Sequence, residues 1–234
     1  MALSTPLWAN REAAGYELAA LLTAWADRGR STSVIGLPRG GVAVAAAVAE
    51  RLHLPLGSWA VRKLASAAAP EYALGALAAG GVVVWNPTAL ASGQLSPVVQ
   101  HQLIEAAAPE VTRRQQCFGQ GDGQSLRGRQ LLVVDDGIAT GMTVRAALQA
   151  LRRCQPAELV LAVPVLDREL VADLRPLVDA LISVVAVENL RAVGNFYADF
   201  NQLSDNDVTA LLQQARQREQ KRVQDSDPQR PAKR

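Results

Sequence analysis

Short apolar runs followed by segments of helical spacing recur between residues 33 and 187, and turns rich in glycine or carboxylates join them. Ser33-Val34-Ile35-Gly36 reads as a strand that leads into an alanine-rich helix over 42–52. Leu131-Leu132-Val133-Val134 reads as a second strand, leading into a helix over 143–153. Its unbroken apolar character suits a strand covered on both faces. Residues 59–64, 157–165 and 180–187 have the same strand character, and Asp167 is placed to cap a helix over 167–177. Ser96-Pro97 opens a helical segment over 96–118, with serine at the cap and proline in the first turn. Helices are also expected over 10–26 and 204–212. Strands alternating with helices predict right-handed βαβ units and an α/β fold with a mainly parallel central sheet flanked by helices. Ligands of such sheets bind beyond the carboxyl ends of the strands.

The turn after 131–134 carries the densest chemistry: Asp135-Asp136-Gly137-Ile138-Ala139-Thr140-Gly141-Met142-Thr143. A helix that starts on this loop offers unpaired amides and the positive end of its dipole to an anion. Thr140 and Thr143 add hydroxyl donors. Gly137 and Gly141 permit a close approach to the backbone. Asp135 and Asp136 can accept hydrogen bonds from a sugar diol or hold a hydrated Mg²⁺. Together these groups suit a phosphorylated sugar. Two acids after an apolar strand also describe a Walker B strand, but the G-x-x-x-x-G-K-[ST] loop that must accompany it is missing. The Gly119, Gly121 and Gly123 cluster lacks both the last glycine of a dinucleotide fingerprint and a preceding strand, and reads as a loop.

The segment 131–143 resembles the phosphoribosyl-pyrophosphate (PRPP) binding motif of type I phosphoribosyltransferases. The resemblance implies that Asp135 and Asp136 contact the ribose hydroxyls directly or through Mg²⁺, with water as a possible intermediary. It implies that Gly137, Ala139, Thr140, Gly141, Met142 and Thr143 hold the 5-phosphate. Leu37-Pro38-Arg39-Gly40-Gly41, again between a strand and a helix, resembles the pyrophosphate loop of the family. Pro38, Arg39, Gly40 and Gly41 would then bind the diphosphate, and the family's non-proline cis peptide would fall between Pro38 and Arg39. Trp59-Ala60-Val61-Arg62-Lys63-Leu64 ends in two cations and precedes the alanine- and glycine-rich stretch 65–81, where the family carries a mobile closing loop. Arg62 and Lys63 would stabilise the leaving group. The phrase P-R-G-G-V, the R-K-L strand end and Pro70-Glu71-Tyr72-Ala73-Leu74-Gly75-Ala76 are similar to a bacterial subgroup of predicted phosphoribosyltransferases. The resemblance covers roughly residues 7–213.

Its implication is a transferase of nucleotide metabolism: a Mg²⁺-dependent glycosyltransferase moving phosphoribosyl from PRPP to a nitrogen acceptor, with pyrophosphate release. Arg39, Arg62, Lys63, Asp135 and Asp136 are the expected catalytic residues. A PRPP-binding regulator that transfers nothing is the alternative. Members that use 6-oxopurines carry an aspartate where this chain has Ala139, which disfavours that acceptor class. A small hood from about 7–30 and 188–213 is expected to roof the site, with Ile138, Phe196 and Tyr197 as candidate acceptor contacts. Phe196, Tyr197 and Phe200 can either stack on a planar acceptor or pack into the hood.

Composition adds limits. A chain of 234 residues, 49% apolar, can bury one sizeable core. No apolar stretch reaches the ~20 residues of a membrane span, and the amino terminus lacks a secretory pattern. A cytoplasmic location with no membrane partner is therefore expected. Cys117 and Cys154 suit neither a zinc knuckle nor a disulfide framework, and His53 and His101 have no partner motif. Residues 214–234 hold seven basic and three acidic residues, so the net charge of +2 is a tail effect. That tail is expected to be disordered. Without interleaved aromatics it argues against a nucleic-acid partner. A homodimer stays open.

Overall fold

A computed structural model describes residues 6–66, 69, 72–119 and 123–225. In chain order the strands are β1 Thr32–Gly36, β2 Leu56–Ser58, β3 Val61–Leu64, β4 Gly75–Ala78, β5 Val82–Trp85, β6 Gln130–Val134, β7 Glu158–Asp167 and β8 Ala180–Val187. The helices are α1 Arg11–Ala20, α2 Gly40–Leu52, α3 Pro87–Ala91, α4 Pro97–Cys117, α5 Met142–Arg153, α6 Val171–Leu174 and α7 Asp205–Asp225. Short 3₁₀ turns join several of them.

Strands β2-β1-β6-β7-β8 form a five-stranded sheet in that order, every pair parallel. Its central strands are apolar on both sides because both sides are covered. From β6, Leu132 and Val134 pack with Leu18, Val44, Val48, Leu52 and Val208 on the face of α1, α2 and α7. Leu131 and Val133 pack with Leu148, Leu151, Ala76 and Val111 on the opposite face. The period of two along one strand thus joins two cores. The β1–β6 register places Ser33 opposite Leu131 and Gly36 opposite Val134. Both strands therefore end at the same level, and the loops that follow them emerge side by side.

Residues 65–81 differ from the expected loop. They contain β4, which pairs antiparallel with β3 and β5 in a separate three-stranded sheet. Residues 67, 68, 70 and 71 lie outside the described residues. The strand is hard to recognise because Gly75, Ala76 and Ala78 are small, and small residues are what the packing requires. A Cβ on Gly75 would lie 2.6 Å from the Val84 carbonyl oxygen and 2.7 Å from the Trp85 ring.

The other boundaries follow local chemistry. Asn10 caps α1 by accepting from the Ala13 amide at 2.9 Å, and Ser96 caps α4 from the Val99 amide at 3.4 Å. The helix expected over 167–177 is broken into two 3₁₀ turns around the four-residue α6, with Pro176 in the second turn. Asp167 ends β7 and still caps the first of these turns, accepting from the Glu169 amide at 3.0 Å. The largest departure is α7, which runs past Leu212 to Asp225, so residues 214–225 are helical rather than disordered. Their arginines find partners on the body: Arg216 donates to the Phe118 carbonyl at 3.1 Å, Arg218 pairs with Glu50, and Arg222 lies 3.7 Å from Asp27. Residues 226–234, the remainder of that expected tail, lie outside the described residues. No helix among the described residues is long and apolar enough to cross a membrane.

Candidate functional site

The loops after β1 and β6 touch through glycine. Leu37 donates its amide to the Val134 carbonyl at 2.9 Å, which ties the first loop to the end of β6. A Cβ on Gly40 would lie 1.9 Å from Asp136 Oδ2, and one on Gly41 would lie 2.8 Å from the Asp135 Cα. Both glycines are therefore required by the acid pair beside them, not by backbone torsion. The Pro38–Arg39 peptide bond is cis, as the family resemblance implies.

Asp135 and Asp136 lie together in a poorly solvated place. Burial, then the charge of Asp136, holds the Asp135 carboxyl well above its ordinary value. Burial also raises Asp136, although Arg11 opposes the shift. Arg11 Nε donates to Asp136 Oδ2 at 2.8 Å, its Nη1 donates to the Asn201 carbonyl at 3.0 Å, and its guanidinium lies 3.8 Å from the Phe200 ring centroid. No local motif in the sequence marks Arg11.

The hood aromatics form the wall behind this pair. Tyr197 stacks on Phe200 at 4.9 Å and meets Trp8 at 5.3 Å. Its hydroxyl donates to the Asp136 carbonyl at 2.5 Å, and burial followed by the charge of Asp136 pushes the phenol up, so it stays a donor. Phe196 and Tyr197 are only 7% and 4% exposed. Of the two roles open to them, the geometry displays packing. Ile138 is buried in the main core, and its backbone is bonded on both sides to β7: its amide to the Val165 carbonyl at 3.0 Å, its carbonyl to the Asp167 amide at 2.9 Å.

That tether presents the rest of the loop outward. Gly137 sits where a Cβ would lie 2.5 Å from Val193 of the hood. Gly141 has φ +72°, a left-handed conformation that glycine adopts freely, and starts α5 without a side-chain cap. The first-turn amides of α5 are thus available to an anion. Thr140 is exposed and Ala139 and Thr143 are half-buried. Met142 lies mostly inside the core. A cleft of about 340 Å³ beside Thr140 and Met142 is bounded across the gap by Tyr72, Ala73 and Asn86. Part of the stretch after β3 therefore borders the phosphate-type loop.

Arg39 and Arg62 meet in a charge network. Arg39 Nη1 lies 3.8 Å from Asp205 Oδ1, and Arg62 Nη1 lies 3.8 Å from Glu110 Oε1. Between these carboxylates stand Arg113 and Arg114 of α4, each paired with both of them. Lys63, next to Arg62, lines a neighbouring cleft with Leu103 and Ala107 of α4. The fold thus stations Arg62 and Lys63 beside α4.

The hydrogen bond from Arg113 is the main reason the Glu110 carboxyl is held down at about 2, below its ordinary 4.5. A carboxyl depressed by folding stabilises the fold above its unfolded pKa and loses that contribution as pH falls through its folded value. The Glu110 contribution is therefore full at neutral pH, declines below about 4.5 and is gone below about 2. Melting curves of the parent and Glu110→Gln should differ most at neutral pH and converge toward pH 2. A constant gap would show that the carboxylate charge contributes nothing.

A parallel sheet whose neighbouring strands end in a cis-peptide glycine turn and an acid-pair phosphate-type loop, roofed by a small hood, defines the type I phosphoribosyltransferase architecture. The chain belongs to that family: the phosphoribosyl transferase domain model matches residues 10–197. A Mycobacterium tuberculosis protein provisionally named a phosphoribosyl transferase is 38% identical over 210 residues, which cover 89% of this chain and 47% of that protein. The chain thus spans about half the length of that relative. The adenine phosphoribosyltransferase of Mycobacterium marinum is 31% identical over 154 residues, 64% of this chain and 61% of that enzyme. Among solved structures, TT1426 from Thermus thermophilus has 33% identity and a TM-score of 0.67, covering 88% of this chain and 98% of that one.

Proposed function

We propose that the protein transfers a phosphoribosyl group from PRPP to a nitrogen acceptor, with release of pyrophosphate and dependence on Mg²⁺. The observation that carries this reading is the contact of Gly40 and Gly41 with Asp135 and Asp136. A ligand that presents a vicinal diol to the acids and an anion on each side would engage both loops. PRPP has that shape, with its ribose hydroxyls between a diphosphate and a 5-phosphate.

In this reading the 5-phosphate takes the amides of 139–143 and the hydroxyls of Thr140 and Thr143. The diphosphate lies on the 38–41 turn beside Arg39, on the side of the network that also holds Arg62. The acceptor nitrogen forms its bond to C1 as the C1–oxygen bond of the diphosphate breaks, and the nitrogen's proton leaves to solvent or to a base on the acceptor side. Fixed amides and guanidiniums stabilise charge that grows on the leaving group, so the protein acts by position and electrostatics.

The acid pair suits a divalent cation. Burial raises both carboxyls, the charge of Asp136 adds to the shift at Asp135, and Arg11 opposes it; a hard divalent cation such as Mg²⁺ would favour the ionised forms and relieve their repulsion. Among the described residues no group of three or more acidic, histidine or cysteine ligands stands together. Asp135 and Asp136 would hold the ion through one or two oxygens or through water, with substrate and solvent completing the shell. When bound, Mg²⁺ would supply neutralisation of the leaving diphosphate.

No carboxylate stands at Ala139, so an acceptor needing a base there is disfavoured, and the acceptor is best found by screening. Incubation with PRPP, Mg²⁺ and a panel of purines, pyrimidines and other nitrogen compounds should release pyrophosphate with at least one acceptor. PRPP binding without release for every acceptor would instead make the protein a PRPP-sensing regulator. Thr140→Val should weaken PRPP binding about 10- to 100-fold, the loss expected for one hydrogen bond to a charged group. Titration calorimetry reads this directly, and parental affinity in the variant would remove Thr140 from the site.

A further inference from the structure

The network behind Arg39 has an unequal charge count. Among the described residues, four guanidiniums, from Arg39, Arg62, Arg113 and Arg114, surround two carboxylates, Glu110 and Asp205. They come from four places in the chain: the turn before α2, β3, the last turns of α4 and the first residue of α7. Glu110 is well bonded, accepting from Arg113 Nε at 2.7 Å and Nη2 at 2.9 Å. Among the described residues, Asp205 is bonded through one side-chain oxygen only. Its Oδ2 accepts from Arg113, whereas its Oδ1 is buried without a hydrogen bond, 3.8 Å from both Arg39 and Arg114. The contacts of Arg39 and Arg62, like that of Arg114 with Asp205, are long, whereas those of Arg113 with both acids and of Arg114 with Glu110 are short.

Such a cluster carries two positive charges in excess and holds its outer arginines loosely. Four crowded guanidiniums repel one another unless anions stand between them, and two carboxylates supply only part of what is needed. A dianionic or more highly charged ligand would satisfy the rest. Guanidinium forks match phosphate oxygens in pairs, which favours a diphosphate over a simple anion.

We propose that Arg113 and Arg114 are diphosphate-binding residues, and that Asp205 and Glu110 are internal anions that the diphosphate displaces from Arg39 and Arg62. This rests on reading the 38–41 turn as the diphosphate site. Asp205 then competes with the ligand for Arg39, so its carboxylate weakens binding. The α7 amino terminus becomes part of the site, although nothing in the 131–143 or 38–41 segments points to it.

The test is titration of the full-length protein with inorganic pyrophosphate in the presence of Mg²⁺, with circular dichroism melts to verify folding. Arg113→Gln/Arg114→Gln should weaken binding by about tenfold or more, as expected for lost charge-assisted hydrogen bonds. Asp205→Asn should tighten it severalfold. Opposite signs are informative, because a merely structural role for the network predicts loss in both. Parental affinity in the double variant, or unchanged or weaker binding in Asp205→Asn, would overturn the proposal. Arg39→Gln separates the two levels. If it alone loses pyrophosphate, the 38–41 reading stands and the cluster proposal falls; if the parent binds no pyrophosphate, both fall.

Discussion

Gly40→Ala should cripple the site while leaving the fold recognisable. The new methyl group would lie 1.9 Å from Asp136 Oδ2, 2.7 Å from its carboxyl carbon and 2.9 Å from Arg11 Nε, so the carboxylate must swing away. That motion breaks the Arg11 pairing and shifts the acid proposed to hold the ribose. A displacement of about 1 Å in positioned groups costs on the order of 10²-fold in rate, so PRPP-dependent turnover should fall by that order. Overpacking itself costs about 1–3 kcal/mol. In a chain of this size each kcal/mol lowers the melting temperature by roughly 2–4 °C. Calorimetric melts and PRPP titrations of the same preparation separate the two effects. A variant that melts early yet binds PRPP as the parent does would show that Asp136 is not a ligand contact.

Arg11→Ala should produce the largest loss of stability among single changes near the site. The Arg11 and Asp136 side chains are only 11% and 16% exposed. Breaking a buried ion pair by removing one partner costs about 3–5 kcal/mol, because the other charge is left without compensation. The same truncation removes the cation that lies on Phe200 and the donor to the Asn201 carbonyl, which loosens the hood from α1. The melting temperature should drop by roughly 6–20 °C on the same scale. Arg11→Lys should recover only part of it, since an ammonium keeps the charge but neither the flat stacking surface nor the fork that serves two acceptors. A drop below a few degrees in Arg11→Ala would mean that Asp136 takes up a proton or solvent at little cost.

Much of the architecture was legible along the chain, for reasons visible in particular residues. Leu131-Leu132-Val133-Val134 is apolar on both faces, and only a central strand of a covered sheet needs that. The short steps from these strands into helices imposed parallel connections, and Ser96 and Asp167 marked helix starts by their side-chain oxygens. Where the reading departed from the structure, the local signal was absent or pointed elsewhere. Strand β4 is made of Gly75, Ala76, Leu77 and Ala78, residues chosen for close packing against neighbours rather than for strand propensity. The basic segment after Gln214 has the composition of a solvated tail. It is helical to Asp225 because Arg216, Arg218 and Arg222 find a carbonyl and two carboxylates on distant parts of the chain.

The candidate site divides in the same way. Acid pair, glycines and threonines were readable because a strand end, a loop and a helix start are contiguous in sequence, and their chemistry follows from local backbone geometry. Arg11 was not, since its partner Asp136 lies 125 residues away. Nor were Arg113, Arg114 and Asp205, which look like ordinary helix-surface charges until α4, α7 and the turn before α2 are brought together. The linear chain determined the class of fold and the chemical character of each loop, because hydrophobic period and turn chemistry act over a few residues. Tertiary structure alone decided which loops face each other and which charges share a cluster. Those outcomes depend on strand order and register, through which β1 and β6, about a hundred residues apart, end at the same level.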